Sequence, residues 1–219
     1  METPETHSLV AVLDAAAAGS FPPADGGVDV LPPDAAGTRA VVALTGHAYV
    51  LANVAAEELE RALPAPGVGG FGGALHPDVL QWLAGGGGQI GSVDVLLVAR
   101  GVGGGSTAAE APAHLDEIVS RHARVLRALL HRRDVSVVVE PDGVAILGRG
   151  LVGRRELSVE LFDPSAASTG AGRALIAAGL RCVPTGEWCW AQVAPGNARS
   201  LRAFLASGFT PIGSEVLLT

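Results

Sequence analysis

The stretch FDPSAASTGAGR (residues 162–173) decides the fold. A strand-like run ends at Phe162, a loop follows, and a helix-like run begins at Gly170. The first N–H groups of a helix have no partner within the helix, and with the helix dipole they form a site for anions. Glycines at 170 and 172 would let a phosphate approach the backbone, although they could equally ease a tight strand-to-helix turn.

The segment after this stretch alternates strand and helix. The pattern predicts a strand over residues 188–193, a helix over residues 197–207 and a closing strand over residues 210–218. Asn197 follows Pro195-Gly196 and is typical of a helix N-cap. Gly208 is typical of a helix C-cap, and Phe204 is typical of core packing.

The segment before this stretch is richer in strands. The pattern predicts a buried strand over residues 93–99, one amphipathic helix or two over residues 114–133, a hairpin over residues 135–148 and a strand over residues 154–162. Adjacent strands favour antiparallel pairing, whereas the strand–helix–strand unit over residues 154–193 favours one parallel pair. We therefore expect an α+β domain with a mixed, mostly antiparallel sheet flanked by helices.

Taken together, these motifs resemble the GNAT (N-acetyltransferase) superfamily over residues 93–218. The resemblance implies a GNAT-like fold that holds acyl-CoA where two strands splay apart, with acetyl-CoA as co-substrate and no metal. It places the pantetheine arm against the backbone of residues 160–162 and the pyrophosphate at the helix start. The implied coenzyme-binding residues are Leu161, Phe162, Ser168, Thr169, Gly170, Ala171, Gly172, Arg173 and Asn197.

The implied reaction is N-acetyl transfer from acetyl-CoA to an amine by direct attack in a ternary complex. An alkyl amine has a pKa of about 10.4 and must lose a proton to a base. Glu156 and Glu160 are the candidate catalytic bases, because a period of two puts both on one strand face with Ser158 between them. Each could instead be a solvated strand charge or a partner for Arg154 or Arg155.

Three positions depart from the family pattern. Ala167 stands where Arg or Gln is usual, Gln192 stands where some members have a Glu, and Phe204 stands where a Tyr usually acts as general acid. Two alternatives to an enzymatic function therefore stay open. One is a catalytically weak or inactive acyl-CoA-binding or sensing module, and the other is a protein-interaction domain.

Composition and charge limit the kinds of binding partner and the cellular location that we expect for this protein. The net charge of −7 argues against nucleic acid, and no apolar run has the about 20 residues that a membrane helix needs. All fifteen basic residues are Arg, which with abundant Ala, Gly and Pro indicates a GC-rich bacterial source. We expect a cytoplasmic protein with free thiols at Cys182 and Cys189, a small-molecule or peptide amine acceptor, and a homodimer.

The first ninety or so residues show no defensible match to that family pattern. Residues 1–38 predict a loop-rich arm, residues 39–92 an accessory α/β segment, and residues 93–219 the GNAT-like domain. His47 beside Tyr49 is the most functional-looking pair in the first two segments. A partly buried core histidine is the interpretation we favour for it.

Overall fold

The chain forms two compact units in a computed structural model that describes residues 6–105, 109–110, 121–163, 165 and 170–219. The first unit contains the residues up to Leu96 together with Pro211–Thr219. The second unit contains Leu97–Thr210. The predicted division at residue 93 stays a prediction, and the closing strand belongs by its contacts to the first unit.

Sixteen helices and strands are used below. The helices are α1 Ser8–Ala17, α2 Ala56–Ala62, α3 Pro77–Ala84, α4 Ala123–His131, α5 Ala171–Arg181 and α6 Ala198–Ala206. The strands are β1 Val28–Leu31, β2 Arg39–Leu44, β3 His47–Leu51, β4 Asp94–Arg100, β5 Ala109–Glu110, β6 Arg133–Glu140, β7 Gly143–Arg149, β8 Arg155–Leu161, β9 Trp188–Val193 and β10 Thr210–Leu218.

The first unit is a small sheet covered by helices. Its strand order is β1-β3-β2-β10, in which β1 lies parallel to β3 and the other neighbours are antiparallel. Apolar side chains of the sheet pack with α2 and α3 in one core that includes Val41, Val50, Leu59, Leu80 and Val216. Burial of this surface is the main source of the unit's stability.

The described part of the first segment, residues 6–38, has more regular structure than the predicted loop-rich arm. It contributes α1, whose Leu9 and Leu13 are buried, and the edge strand β1. His7 caps α1 by accepting a hydrogen bond from the Leu9 N–H at 3.1 Å. Ala, Gly and Pro dominate this segment, so a short buried helix gives only a weak periodic signal there.

The second unit confirms the predicted α+β class, a mixed and mostly antiparallel sheet flanked by helices, through its own topology. Its strand order is β4-β9-β8-β7-β6-β5. The predicted hairpin is present, because β6 and β7 pair antiparallel and Glu140 lies opposite Gly143. β7 also pairs antiparallel with β8, and β8 pairs parallel with β9, as the strand–helix–strand pattern predicts.

Helices cover the two faces of this second sheet. Val125 and Ala128 of α4 pack on β6 and β7 in a core that includes Val144 and Ile146. Gly179 of α5 lies against Leu157, on the opposite face. Val144 and Ile146 lie opposite Glu160 and Ser158 in the ladder, so both candidate bases share the α4 face. The predicted helix over residues 114–133 is seen as α4 alone, since residues 111–120 lie outside the described residues.

We predict that Gly143→Ala lowers the free energy of unfolding by about 1–3 kcal/mol. A Cβ at this position would overlap the Glu160 carbonyl oxygen and lie 2.9 Å from the Leu161 Cα, both backbone atoms of β8. Gly196→Ala is the matched control, because no described atom beyond its chain neighbours lies within 4 Å of its Cβ position. Urea denaturation measures both variants, and equal stability would contradict the packing described here.

Candidate functional site

The parallel pair β8–β9 opens soon after it begins. Glu156 pairs with Trp190, and no later residue pair of these two described strands is in ladder register. β8 nevertheless continues to Leu161 and β9 to Val193. The strands therefore diverge into a cleft, which we call the splay, bounded by residues 157–161 and 191–193.

The glycine-rich helix start lies shortly after the splay in sequence. Gly170 is the N-cap of α5 and has a φ of +103°, a conformation suited to glycine. Its carbonyl accepts the first helical hydrogen bond, from the Ala174 N–H at 3.0 Å. No side chain among the described residues caps this helix, so the N–H groups of residues 171–173 are positioned to bind an anion.

Gly172 has no steric reason within the described chain to be glycine. The nearest atom to a Cβ built there is the Ala203 Cβ at 3.9 Å, an ordinary contact distance. Glycine costs about 1 kcal/mol relative to alanine inside a helix. Among the described residues, therefore, no side chain or backbone atom fills the space above Gly172. Ser168, Thr169 and Ala167 lie outside the described residues.

Arg173 adds positive charge at the same helix start. One of its guanidinium nitrogens lies 3.8 Å from the Cβ position built on Gly170. The side chain is exposed, so its charge would act on an anion at the helix start from the solvent side. Its predicted role beside the pyrophosphate stays a prediction.

Asn197 caps α6, as predicted from its position after Pro195-Gly196. Its side-chain oxygen accepts a hydrogen bond from the Ser200 N–H at 3.1 Å. Phe204 lies about two helical turns after Asn197 and is buried. Its ring meets that of Phe209 edge-on, with 4.9 Å between the ring centroids. Phe204 thus packs in the core, and its ring supplies no proton. The predicted contact of Asn197 with the coenzyme stays a prediction.

Glu156 is a buried carboxylate enclosed by donors. Its Oε1 accepts from Arg154 Nε at 2.9 Å and from Gln192 Nε2 at 2.8 Å, and its Oε2 accepts from Arg132 Nε at 2.9 Å. Burial raises the pKa of Glu156, but the charges of Arg154 and Arg132 and these hydrogen bonds outweigh burial and lower it below its ordinary value. A lowered pKa makes this carboxylate a weak base.

Glu160 stands in a more open position on the same strand face. Its Oε2 accepts from Arg124 Nε at 2.7 Å, and 38% of its side chain is exposed. Ser158, between the two glutamates, accepts from Arg132 Nη1 at 3.1 Å. Both base assignments stay predictions, but Glu160 is the one with room for water and substrate.

The arginine partners of Glu156 were only partly predictable. Arg154, proposed from sequence as a partner, does bind Glu156, whereas Arg155 binds Glu187 at 2.9 Å. Arg132 lies 24 residues away, just after α4, and no local pattern connects it with Glu156. Its contact follows from the packing of α4 on the strand face that carries Glu156.

Leu161 and Phe162 end β8, where the resemblance places the pantetheine arm. Leu161 is half-buried and Phe162 is exposed, with its ring 6.0 Å from the His122 ring. The Phe162 N–H already donates to the Asp142 carbonyl at 2.9 Å. The Phe162 N–H is therefore already occupied and is not available to a ligand.

Other polar groups are explained by the fold. His47 lies between Asp25 at 2.8 Å and Asp29 at 3.4 Å, with its ring 5.0 Å from that of Tyr49, so its environment is an ion-pair cluster of the first unit. Cys182 and Cys189 are not joined by a disulfide, and burial raises the pKa of the Cys189 thiol to about 12. Within the described ranges, no three His, Cys, Asp or Glu side chains converge on a metal position, and no helix has the length and apolarity to cross a membrane.

Comparison with known proteins gives only distant structural likenesses. No family model matches the chain, and no curated protein matches it. A GCN5-related N-acetyltransferase from Kribbella flavida is similar at 19% identity and a TM-score of 0.38, over 60% of this chain and 59% of that one. A protein from Novosphingobium aromaticivorans, described as of the GNAT family, is similar at 18% identity and a TM-score of 0.35, over 60% of this chain and 66% of that one.

Both similar structures match this chain over only part of their length and at low TM-scores. The chain spans less than two thirds of either similar structure. At TM-scores of 0.38 and 0.35, the alignments do not by themselves establish a shared fold. The fold class stated above depends on the chain's own topology.

We predict that Glu156→Gln lowers the free energy of unfolding at pH 7 by about 3–5 kcal/mol, because it leaves the buried Arg154 and the partly buried Arg132 without their carboxylate. The pKa of Glu156 is lowered from 4.5 by folding, so its contribution is complete above that pH and is lost as the pH falls through the lower value. The deficit of the variant should therefore shrink on acidification.

The measurement is urea denaturation at several pH values between neutrality and the acid limit of folding. Glu187→Gln is the control, because it removes a carboxylate that also binds an arginine but is 35% exposed. A surface pair of this kind contributes about 0–1 kcal/mol. A deficit of Glu156→Gln that stays constant with pH would contradict the assignment.

Proposed function

We propose that this protein is an N-acetyltransferase that binds acetyl-CoA in the splay and transfers its acetyl group to an amine. The observation that carries the proposal is the divergence of β8 from β9 after the Glu156–Trp190 pair, followed by an uncapped helix start with two glycines. The open edge of β8 offers backbone groups to the arm of a long coenzyme, and the helix start offers N–H groups to its phosphates. The motif resemblance to the GNAT superfamily supports the same conclusion.

The coenzyme would bind through backbone groups. The edge of β8 over residues 157–161 would hydrogen-bond the amides of the pantetheine arm, since β9 does not pair with it there. The N–H groups of residues 171–173 would hold the pyrophosphate, with Arg173 adding charge. This arrangement needs no arginine or glutamine at position 167.

Glu160 is the base we propose for the amine, acting directly or through water. It shares the strand face of Glu156 but is more open, and Arg124 Nε lies 2.7 Å from its Oε2 and would orient the carboxylate. An amine with a pKa of about 10.4 must be deprotonated before it can attack the thioester. A positioned base accelerates such a step by about 10²–10⁴-fold.

The CoA thiolate would leave without a tyrosine to protonate it. Phe204 occupies the position where the family usually has that acid, and its ring is buried. A thiol has a pKa of about 8.5, so the thiolate is a tolerable leaving group and can take its proton from water. We therefore expect turnover that is slower than in members with the tyrosine. Small-molecule and peptide amines are both candidate acceptors.

We predict that Gly172→Asp weakens binding of acetyl-CoA and of CoA by at least about 100-fold, because it sets a negative charge beside the pyrophosphate. Aspartate in the first turn stabilises a helix, so the variant should fold at least as well as the wild type. Ala56→Asp is the matched control, because it adds the same charge to the exposed first turn of α2.

The measurement is calorimetric titration with each ligand, with thermal unfolding as the folding check. Equal affinity of all three proteins would refute the placement of the pyrophosphate. Absence of binding to the wild type would refute the acetyltransferase proposal. Binding without release of CoA thiol in the presence of any amine would favour the acyl-CoA-binding module.

We predict that Glu160→Gln lowers kcat by about 10²-fold or more, because a neutral amide cannot accept the proton. The limb of the pH profile of kcat that reports the base should disappear as well. Coenzyme affinity should change little, since β8 would bind the coenzyme through its backbone. Glu140→Gln, which removes a carboxylate from the end of β6, is the control. The rate of CoA thiol release with an amine panel is the measurement, and an unchanged kcat would exclude Glu160 as the base.

A further inference from the structure

A side-chain hydrogen bond joins β8 and β9 beside the last pair of their backbone ladder. Trp190 is the ladder partner of Glu156, and Gln192 is the next residue of β9 on the same face. The Gln192 Nε2 donates to the Glu156 Oε1 at 2.8 Å. The bond therefore spans the mouth of the splay, one step beyond the last backbone pair.

The acceptor of this bond is fixed in place. Arg154 holds the Oε1 of Glu156 from its own strand, and Arg132 holds the Oε2 from the end of α4, each at 2.9 Å. Gly150 closes the remaining side, because a Cβ there would overlap the carboxylate. A carboxylate bound on three sides cannot swing away, so it can anchor a neighbouring strand.

We propose that the Gln192–Glu156 hydrogen bond is a clamp that sets how far β8 and β9 diverge, and that both are positioning residues of the coenzyme cleft. The inference deepens the proposed function, on which its coenzyme part rests. It also gives Glu156 a role that its enclosure suits better than the role of base.

Residues 157–161 of β8 have no ladder partner in β9, so a side-chain bond between the two strands contributes to their separation there. Glu156 is 4% exposed, and water competes little for a hydrogen bond to a buried charged group. The position also requires an amide, because a glutamate at 192 would set a second carboxylate against Glu156.

Gln192→Met is the decisive variant, because it keeps the length of the side chain and the ion pairs of Glu156 but removes the donor. We expect amides of residues 157–161 to exchange faster with solvent in the ligand-free protein. We also expect acetyl-CoA affinity to weaken about tenfold, with the pH profile of kcat unmoved. Gln81→Met, on the exposed side of α3, is the matched control.

Gln192→Glu supplies an independent readout. A carboxyl group at this position can donate to Glu156 only while it is protonated, and it repels Glu156 once ionised. Acetyl-CoA affinity of this variant, relative to the wild type, should therefore fall as the pH rises from 5 to 8. A residue that served only as packing would give a ratio that does not depend on pH.

The outcomes separate the two proposals. Unchanged exchange and unchanged affinity in Gln192→Met would overturn the clamp, even if the wild type binds acetyl-CoA. Faster exchange in a protein whose wild type binds no acetyl-CoA would support the clamp and overturn the proposed function. Faster exchange with weaker coenzyme binding would support both.

Discussion

The end of the β8–β9 ladder is the constraint on which the candidate site depends. A parallel pair normally continues as long as both strands do, because each unpaired backbone group loses a hydrogen bond. Here the pair is described only at Glu156 and Trp190, although both strands run on. The edge of β8 is thereby available to a ligand.

The buried ion cluster explains how this opening can be stable. Glu156 is held by Arg154 and Arg132 and also meets Gln192 of β9. Breaking such a cluster is costly because it leaves a buried charge uncompensated. The same enclosure that makes Glu156 a good anchor makes it a poor base. Anchoring and proton transfer are therefore assigned to different glutamates of one strand, with Glu160 in the open position.

Sequence patterns predicted the local elements well and the long-range contacts poorly. The hairpin at Gly143 and the cap at Asn197 are present, since each depends on residues close in sequence. The parallel β8–β9 pair is also present, and it follows from the strand–helix–strand order. The contact of Arg132 with Glu156 and the bond from Gln192 could not be predicted, because they arise only when α4 and β9 take their places around β8. The sequence pattern over residues 1–38 also did not predict β1, because this strand forms by pairing with β3, which is a tertiary contact.

A crystal structure of the protein with CoA would test the central claim most directly. The account predicts that the pantetheine arm lies against the β8 backbone over residues 157–161 and that pyrophosphate oxygens accept hydrogen bonds from the N–H groups of Gly172 and Arg173. It also predicts that Gln192 stays bound to Glu156. A coenzyme bound elsewhere, or β8 and β9 laddered to their ends, would contradict it.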